Sequence, residues 1–257
     1  MWSVQLYRRI TNLSISEKII VVVPTYNEAE SLPRLAEELF NLNAANLTII
    51  VVDDNSPDGT AAVAKRIGDS NGGSVRVIQR PRKLGLGTAY KEGFERALKE
   101  NPVYVVQMDA DLSHPPQEIP AMIKKLKNAD VVVGSRYADS SSADDRTTFG
   151  RRLLSSLANQ VIRVVAGLEI NDITSGFKVF RREALENLDW SKFKSEGFAF
   201  QTEVAHACQR KELRVIEHPI VFRNRAAGRS KMTWAIGLEA IIRLLPLRFI
   251  RIRNFLH

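Results

Sequence analysis

Five short apolar runs, at residues 19–23, 47–52, 75–78, 103–108 and 130–134, alternate with four stretches of helical spacing at 31–40, 60–67, 88–98 and 118–127. This rhythm constrains the chain more than any other feature. Each run is rich in Val and Ile and too short for a helix, so it reads as a strand buried on both faces. Strands that alternate with amphipathic helices build a mostly parallel sheet with helices on both faces. Pro24 should stop the first strand sharply, whereas Pro33 is tolerated in the first turn of the helix that follows. After Arg136 the rhythm breaks. Residues 138–149 are polar and turn-rich and read as a mobile loop. Helices are expected at 151–166, 182–188 and 200–210, and extended segments at 175–180 and 214–222.

In an open parallel sheet, ligands sit beyond the carboxyl ends of the strands. Four such ends are polar here: Pro24-Thr-Tyr-Asn-Glu28, Asp53-Asp-Asn-Ser-Pro-Asp-Gly59, Asp109-Ala-Asp111 and Gly134-Ser-Arg136. Each alone also fits a turn with a helix cap. Together on one rim they describe a site. The Asp109/Asp111 pair is the most informative, because two hard oxygen donors at a strand end suit Mg²⁺ or Mn²⁺. Such ions bind through one or two carboxylates completed by substrate phosphates. His114 reads as a turn residue beside Pro115, and no histidine is placed by the sequence with a carboxylate partner.

Several classes are excluded. A dinucleotide fold needs Gly-x-Gly-x-x-Gly after the first strand, where this chain has Pro-Thr-Tyr-Asn-Glu, and no Walker lysine motif occurs. A single cysteine, Cys208, rules out an internal disulfide and a cysteine-based zinc cluster. The net charge of +8 points to an anionic partner: nucleic acid, an anionic membrane surface or a phosphate-rich substrate. Nucleic acid is disfavoured, since the basic loops carry almost no aromatic platforms.

Seven motifs together resemble a known family: Pro24-Thr-Tyr-Asn-Glu28, Asp53 to Thr60, Gly85-Leu-Gly-Thr-Ala89, Asp109-Ala-Asp-Leu-Ser-His114, Gly134-Ser-Arg-Tyr137, Asp172-Ile-Thr-Ser-Gly-Phe177 and Ser230-Lys231. In this order they look like the inverting nucleotide-sugar glycosyltransferases of GT-A fold, and more narrowly like polyprenol-phosphate (dolichol-phosphate) mannose synthases. The resemblance implies GDP-mannose as donor, a polyprenyl or dolichyl monophosphate as acceptor and Mg²⁺ or Mn²⁺ as cofactor. It places Pro24, Tyr26 and Glu28 in the nucleotide pocket and Val52 and Asp54 at the base and ribose end. Asp109, Ala110 and Asp111 would sit at the diphosphate. Asp109, Asp111 and Ser113, where some relatives have Gln, would serve the metal. Arg136, Arg225 and Lys231 match cations that engage donor phosphates or the mannosyl site, so Asp111, Arg136 and Lys231 are the expected catalytic set. A UDP-glucose donor with undecaprenyl phosphate is the nearest alternative.

The expected layout is an N-terminal extension at 1–18, a GT-A domain at 19–232 and a basic amphipathic segment at 233–257. Residues 1–16 lack an apolar signal core. The segment from Trp234 to Leu256 is interrupted by Glu239, Arg243, Arg248, Arg251 and Arg253, too charged for a spanning helix of ~20 mostly apolar residues. Interleaved arginines and bulky apolar side chains suit an element lying on an anionic membrane, or equally a core-packed helix with a basic tail. The location expected is cytoplasmic, peripheral on the cytoplasmic face of a membrane. No protein partner can be named.

Overall fold

The computed structural model describes residues 16–139 except 43, residues 143–144, 157, 159–161 and 163–164, and residues 167–223 except 198. Arg225, Lys231, the 233–257 segment, most of the 138–149 loop and most of the 151–166 helix lie outside them.

The chain alternates as its apolar periodicity requires: β1 (Ile19–Thr25), α1 (Leu32–Phe40), β2 (Leu47–Asp53), α2 (Thr60–Ser70), β3 (Val75–Gln79), α3 (Leu86–Leu98), β4 (Tyr104–Gln107), α4 (Ile119–Lys125) and β5 (Val131–Ser135). The second half adds β6 (Ala143–Asp144), β7 (Lys178–Arg181), α5 (Arg182–Glu186), α6 (Ala199–Arg210), β8 (Val215–Pro219) and β9 (Val221–Phe222). The expected single extended segment at 214–222 is therefore two strands. β8 pairs with β5, and β9 leaves for a small ladder with β6.

The main sheet runs β3-β2-β1-β4-β7-β5-β8. Every pairing is parallel except those of β7, which is antiparallel to both β4 and β5. Strand order reverses between β1 and β4, so the carboxyl ends of these two strands flank the crevice where such sheets bind ligands. Ile19, Val21 and Val23 pack into the core on one face, Ile20 and Val22 into the core on the other. That two-sided burial is why β1 reads as an unbroken apolar run. Among the described residues no helix is long and apolar enough to cross a membrane.

One boundary differs from expectation. β1 runs two residues past its predicted stop, with Pro24 paired to Val52 and Thr25 to Asp53. The Val22 carbonyl accepts from Met108 N on the β4 side, and alternation points Pro24 to that same side. There the β4 ladder has already ended, so the missing N–H costs no bond.

Candidate active site

A cavity of ≈ 360 Å³ opens at the strand switch, bounded by the ends of β1, β2 and β4, the start of α3 and the turn before α6. Its size suits a small ligand or cofactor. Pro24, Tyr26, Glu28, Asp54, Asp109, Ala110 and Asp111 all line it. Three of the four polar strand ends are therefore brought together in space, and the fourth, Gly134-Ser-Arg136, stays outside the lining.

The first two rim loops are laced to each other. Asp53 accepts from Thr25 Oγ1 at 2.9 Å and from Ser56 N at 2.9 Å. Asp58 accepts from Ala29 N at 3.0 Å and Thr60 Oγ1 at 2.5 Å, while Thr60 Oγ1 in turn accepts from Glu28 N. Two of the three carboxylates in Asp53-Asp-Asn-Ser-Pro-Asp58 are thus structural. Asp54 lines the cavity but also binds: Arg80 Nη1 donates to its Oδ1 at 2.5 Å and Gly85 N to its Oδ2 at 2.8 Å. Arg80 is buried, and Asp54 with it, so the pair anchors the loop entering α3. Gly85 has φ +97°, and a Cβ there would meet the Glu196 carbonyl at 2.6 Å; only glycine permits that approach.

Val52 departs from its expected role. Its side chain is fully buried in the core packed between the sheet and α3, because it belongs to the buried strand rather than to the rim.

The Asp109–Ser113 turn is held from several directions. Tyr90 OH donates to Asp109 Oδ1 at 2.8 Å. Asp109 N donates to His114 Nδ1 at 3.2 Å, and the His114 ring stacks on Phe177 at 5.3 Å. His114 is more than a turn residue: it is buried within the site's wall, and burial lowers its pKa so that it stays a neutral acceptor. Leu112 takes a left-handed φ of 63°, which turns the chain back under Asp111. Ser113 Oγ donates to Asp111 Oδ1 at 2.6 Å, and Ser113 N donates to the same atom at 3.1 Å. Ser113 is buried and absent from the cavity lining, so its hydroxyl orients Asp111 instead of facing a metal.

Arg136 also departs from expectation. Its Nε and Nη2 donate to the two oxygens of Asp172 at 2.8 and 2.7 Å, Nη2 also reaches Thr174 Oγ1 at 2.7 Å, and it does not line the cavity. Burial pushes the Asp172 carboxyl up, but Arg136 overrides it and the net pKa falls below the ordinary value. Glu217 accepts from Asp172 N and Asn171 N, fixing this turn to β8. The expectation that no histidine has a carboxylate partner fails as well. His218 Nε2 lies 2.8 Å from Glu118 Oε2, although neither residue lines the cavity.

Two contributors escaped sequence reasoning. Ser195, Glu196 and Gly197 form a wall, and their only signal was a turn ahead of a helix. Lys83, which closes the basic stretch Arg80-Pro-Arg-Lys83, lines the cavity with Nζ 3.8 Å from the Tyr26 ring centroid, a cation–π contact.

Among the described residues the lining carries five carboxylates, of Glu28, Asp54, Asp109, Asp111 and Glu196, against one cation, Lys83. Arg80 offsets Asp54 from behind. No group of three or more His, Cys, Asp or Glu among the described residues could hold a metal by itself. Asp109 and Asp111 are hard oxygen donors on one cavity wall, and a divalent ion there would complete its shell with substrate oxygens. The donor set fits Mg²⁺ or Mn²⁺.

Residues 20–189, well over half of the chain, match Glycosyl transferase family 2. The chain belongs to this family. It is a glycosyltransferase. The family 2 chain is 36% identical over 230 residues to a polyprenol monophosphomannose synthase of Mycolicibacterium smegmatis, covering 89% of this chain and 86% of that protein. It is 35% identical over 225 residues to an undecaprenyl-phosphate mannosyltransferase of Micrococcus luteus, covering 88% and 91%. A dolichol-phosphate mannosyltransferase of Pyrococcus furiosus is 38% identical over 219 residues, which span 84% of this chain but 59% of that one. Among solved structures, the glucosyl-3-phosphoglycerate synthase of Mycobacterium tuberculosis with Mn²⁺ and UDP superposes with a TM-score of 0.62 at 20% identity, covering 89% of this chain and 78% of that one. The family 2 chain thus shares the GT-A architecture that its motifs implied.

Proposed function

We propose that this glycosyltransferase moves mannose from GDP-mannose to a polyprenyl monophosphate with inversion, with Mg²⁺ or Mn²⁺ at Asp109 and Asp111. The observation that carries the reading is the excess of carboxylates around the cavity. A nucleoside diphosphate would be repelled by such a lining unless a divalent cation bridged it. The names of three relatives at 35–38% identity, all mannosyl transferases to polyprenol-type lipids, supply the donor sugar and acceptor class.

In this reading Pro24, Tyr26 and Glu28 bind the nucleotide end, and Asp54 holds the Gly85 loop that closes its side. The bound cation would offset the charge that develops on the departing diphosphate. The acceptor phosphate oxygen bonds to the anomeric carbon as the bond from that carbon to the diphosphate breaks on the opposite face. A phosphate monoester is already anionic near neutral pH, so no strong general base is needed. This agrees with a lining that contains no histidine among the described residues. Lys231 and Arg225, beyond the described residues, remain proposed donor-phosphate cations. Trp234 to Leu256 is proposed to bring the site to the cytoplasmic face of a membrane.

A panel of radiolabelled GDP-mannose and UDP-sugars with short polyprenyl phosphates, with and without chelator, tests the reading. Mannosyl transfer from GDP-mannose, abolished by EDTA and restored by Mn²⁺ or Mg²⁺, is expected. Preference for a UDP-sugar, or turnover untouched by EDTA, would overturn it.

A further inference from the structure

We propose that Tyr90 is a positioning residue that sets the affinity of the Asp109/Asp111 pair for its divalent cation. The inference rests on reading that pair as the cation site. Tyr90 stands on α3, fully buried, and its hydroxyl donates to Asp109 Oδ1 at 2.8 Å. Its ring stacks on Phe94, centroids 5.7 Å apart, and lies nearly parallel to Phe200 at 5.9 Å and 7°. Wedged between two rings, it can aim its hydroxyl in only one direction.

The backbone of Gly176 also comes close to this carboxylate. A Cβ on Gly176 would stand 3.1 Å from Asp109 Oδ2 and 3.2 Å from Oδ1, so the Gly176 backbone forms a wall against it. Asp109 therefore has a hydroxyl and a glycine backbone against its carboxylate, with its main chain tied to His114. A carboxylate offers about four lone-pair sites, and Tyr90 takes one while orienting the rest. Hydrogen-bond partners of metal ligands commonly govern affinity at about the 10–100-fold level.

Phe200 stands in the first turn of α6, shortly after the Ser195–Gly197 wall of the cavity. The same tyrosine thus touches both the metal carboxylate and the element that carries the facing wall.

The test is Tyr90→Phe, which deletes one oxygen and keeps the ring. Mn²⁺ binding is followed by electron paramagnetic resonance of the free ion, with and without GDP. A companion variant, Phe200→Leu, loosens the same stack and keeps the hydroxyl. The expected result is a Mn²⁺ dissociation constant raised at least about tenfold in Tyr90→Phe, with Phe200→Leu melting lower but binding Mn²⁺ as the parent does. Parent-like Mn²⁺ affinity in Tyr90→Phe would reduce the tyrosine to a core residue and overturn the inference. So would equal weakening by both variants, because packing and not the hydroxyl would then be responsible. If the parent protein itself binds no Mn²⁺ under either condition, the reading of the carboxylate pair fails and this inference falls with it.

Discussion

Asp172 takes both arms of the Arg136 fork, Nε on Oδ2 at 2.8 Å and Nη2 on Oδ1 at 2.7 Å, with the acid wholly buried and the arginine nearly so. The pair locks the turn after β5 to the Asp172–Phe177 segment that supplies the wall behind Asp109. A cation spent in this way is architectural in the first instance.

Breaking such a buried pair from one side leaves the other charge unpaired, at a cost of roughly 3–5 kcal/mol. Asp172→Asn and Arg136→Gln should each destabilise the fold on that scale in urea titrations. The double variant should lose clearly less than their sum, because both remove one interaction. The contribution also follows pH. The folded Asp172 pKa is lowered, so its stabilisation is full above the ordinary carboxylate value of 3.8 and disappears as pH falls through the lower folded value. Additive losses would show that Arg136 acts on its own account, as a donor-facing cation would.

Asp109→Asn and Asp111→Asn should fold normally and lose transfer by a factor on the order of 10²–10³, the usual effect of removing an electrostatic stabiliser. Ser113→Ala should be milder, about tenfold in metal affinity, since Ser113 only orients Asp111 through the 2.6 Å bond. Circular dichroism with turnover assays at varied Mn²⁺ would separate them. Excess Mn²⁺ should rescue Ser113→Ala and neither aspartate variant.

Gly85→Ala would place a methyl group 2.6 Å from the Glu196 carbonyl at a φ of +97°. With ψ at 160° this backbone lies in a region essentially confined to glycine, which costs roughly 1–3 kcal/mol for a residue with a Cβ. The clash should push the Glu196 turn outward and widen the cavity. The donor KM should rise more than kcat falls, because binding is disturbed before chemistry. Steady-state kinetics over a donor concentration series decides this, and an unchanged KM would mean that the Glu196 wall does not meet the donor.

The strand–helix order and the polar rim were legible because periodicity and turn residues report local structure directly. The tertiary partners were not. Arg80 sits in a run of basic residues, and nothing local distinguishes it from Arg82; only the fold brings it to Asp54, 26 positions away. Arg136 stood at a strand end like a ligand-binding cation, yet the acid that occupies it lies 36 residues on. Ser113 and Tyr90 contribute hydroxyls that a pattern of charges could not rank. Val52 failed for the opposite reason: it lies inside β2, where its side chain packs into the core, whereas Asp54 lies just past the strand's end and reaches the cavity.

Lys178 offers the sharpest electrostatic prediction. It lies on β7 beside Gln107, fully buried, donating to the Ser175 carbonyl and to Gln201 Oε1 at 2.7 Å. Burial lowers its pKa from 10.5 to about 8, against the opposing pull of acidic neighbours that include Asp172 and Asp109. Between these two values the unfolded chain holds a proton that the folded chain has released. Stability from this group therefore rises with pH across the window, and the full penalty of burying the charge applies below it. Lys178→Met removes the titration. Every other group is shared, so the difference in unfolding free energy between parent and variant isolates Lys178. Urea unfolding at about pH 7 and about pH 9.5 should show the parent gaining on the variant at the higher pH. Parallel stability curves would mean that Lys178 keeps its charge throughout, held by its two hydrogen bonds and by the carboxylates around it.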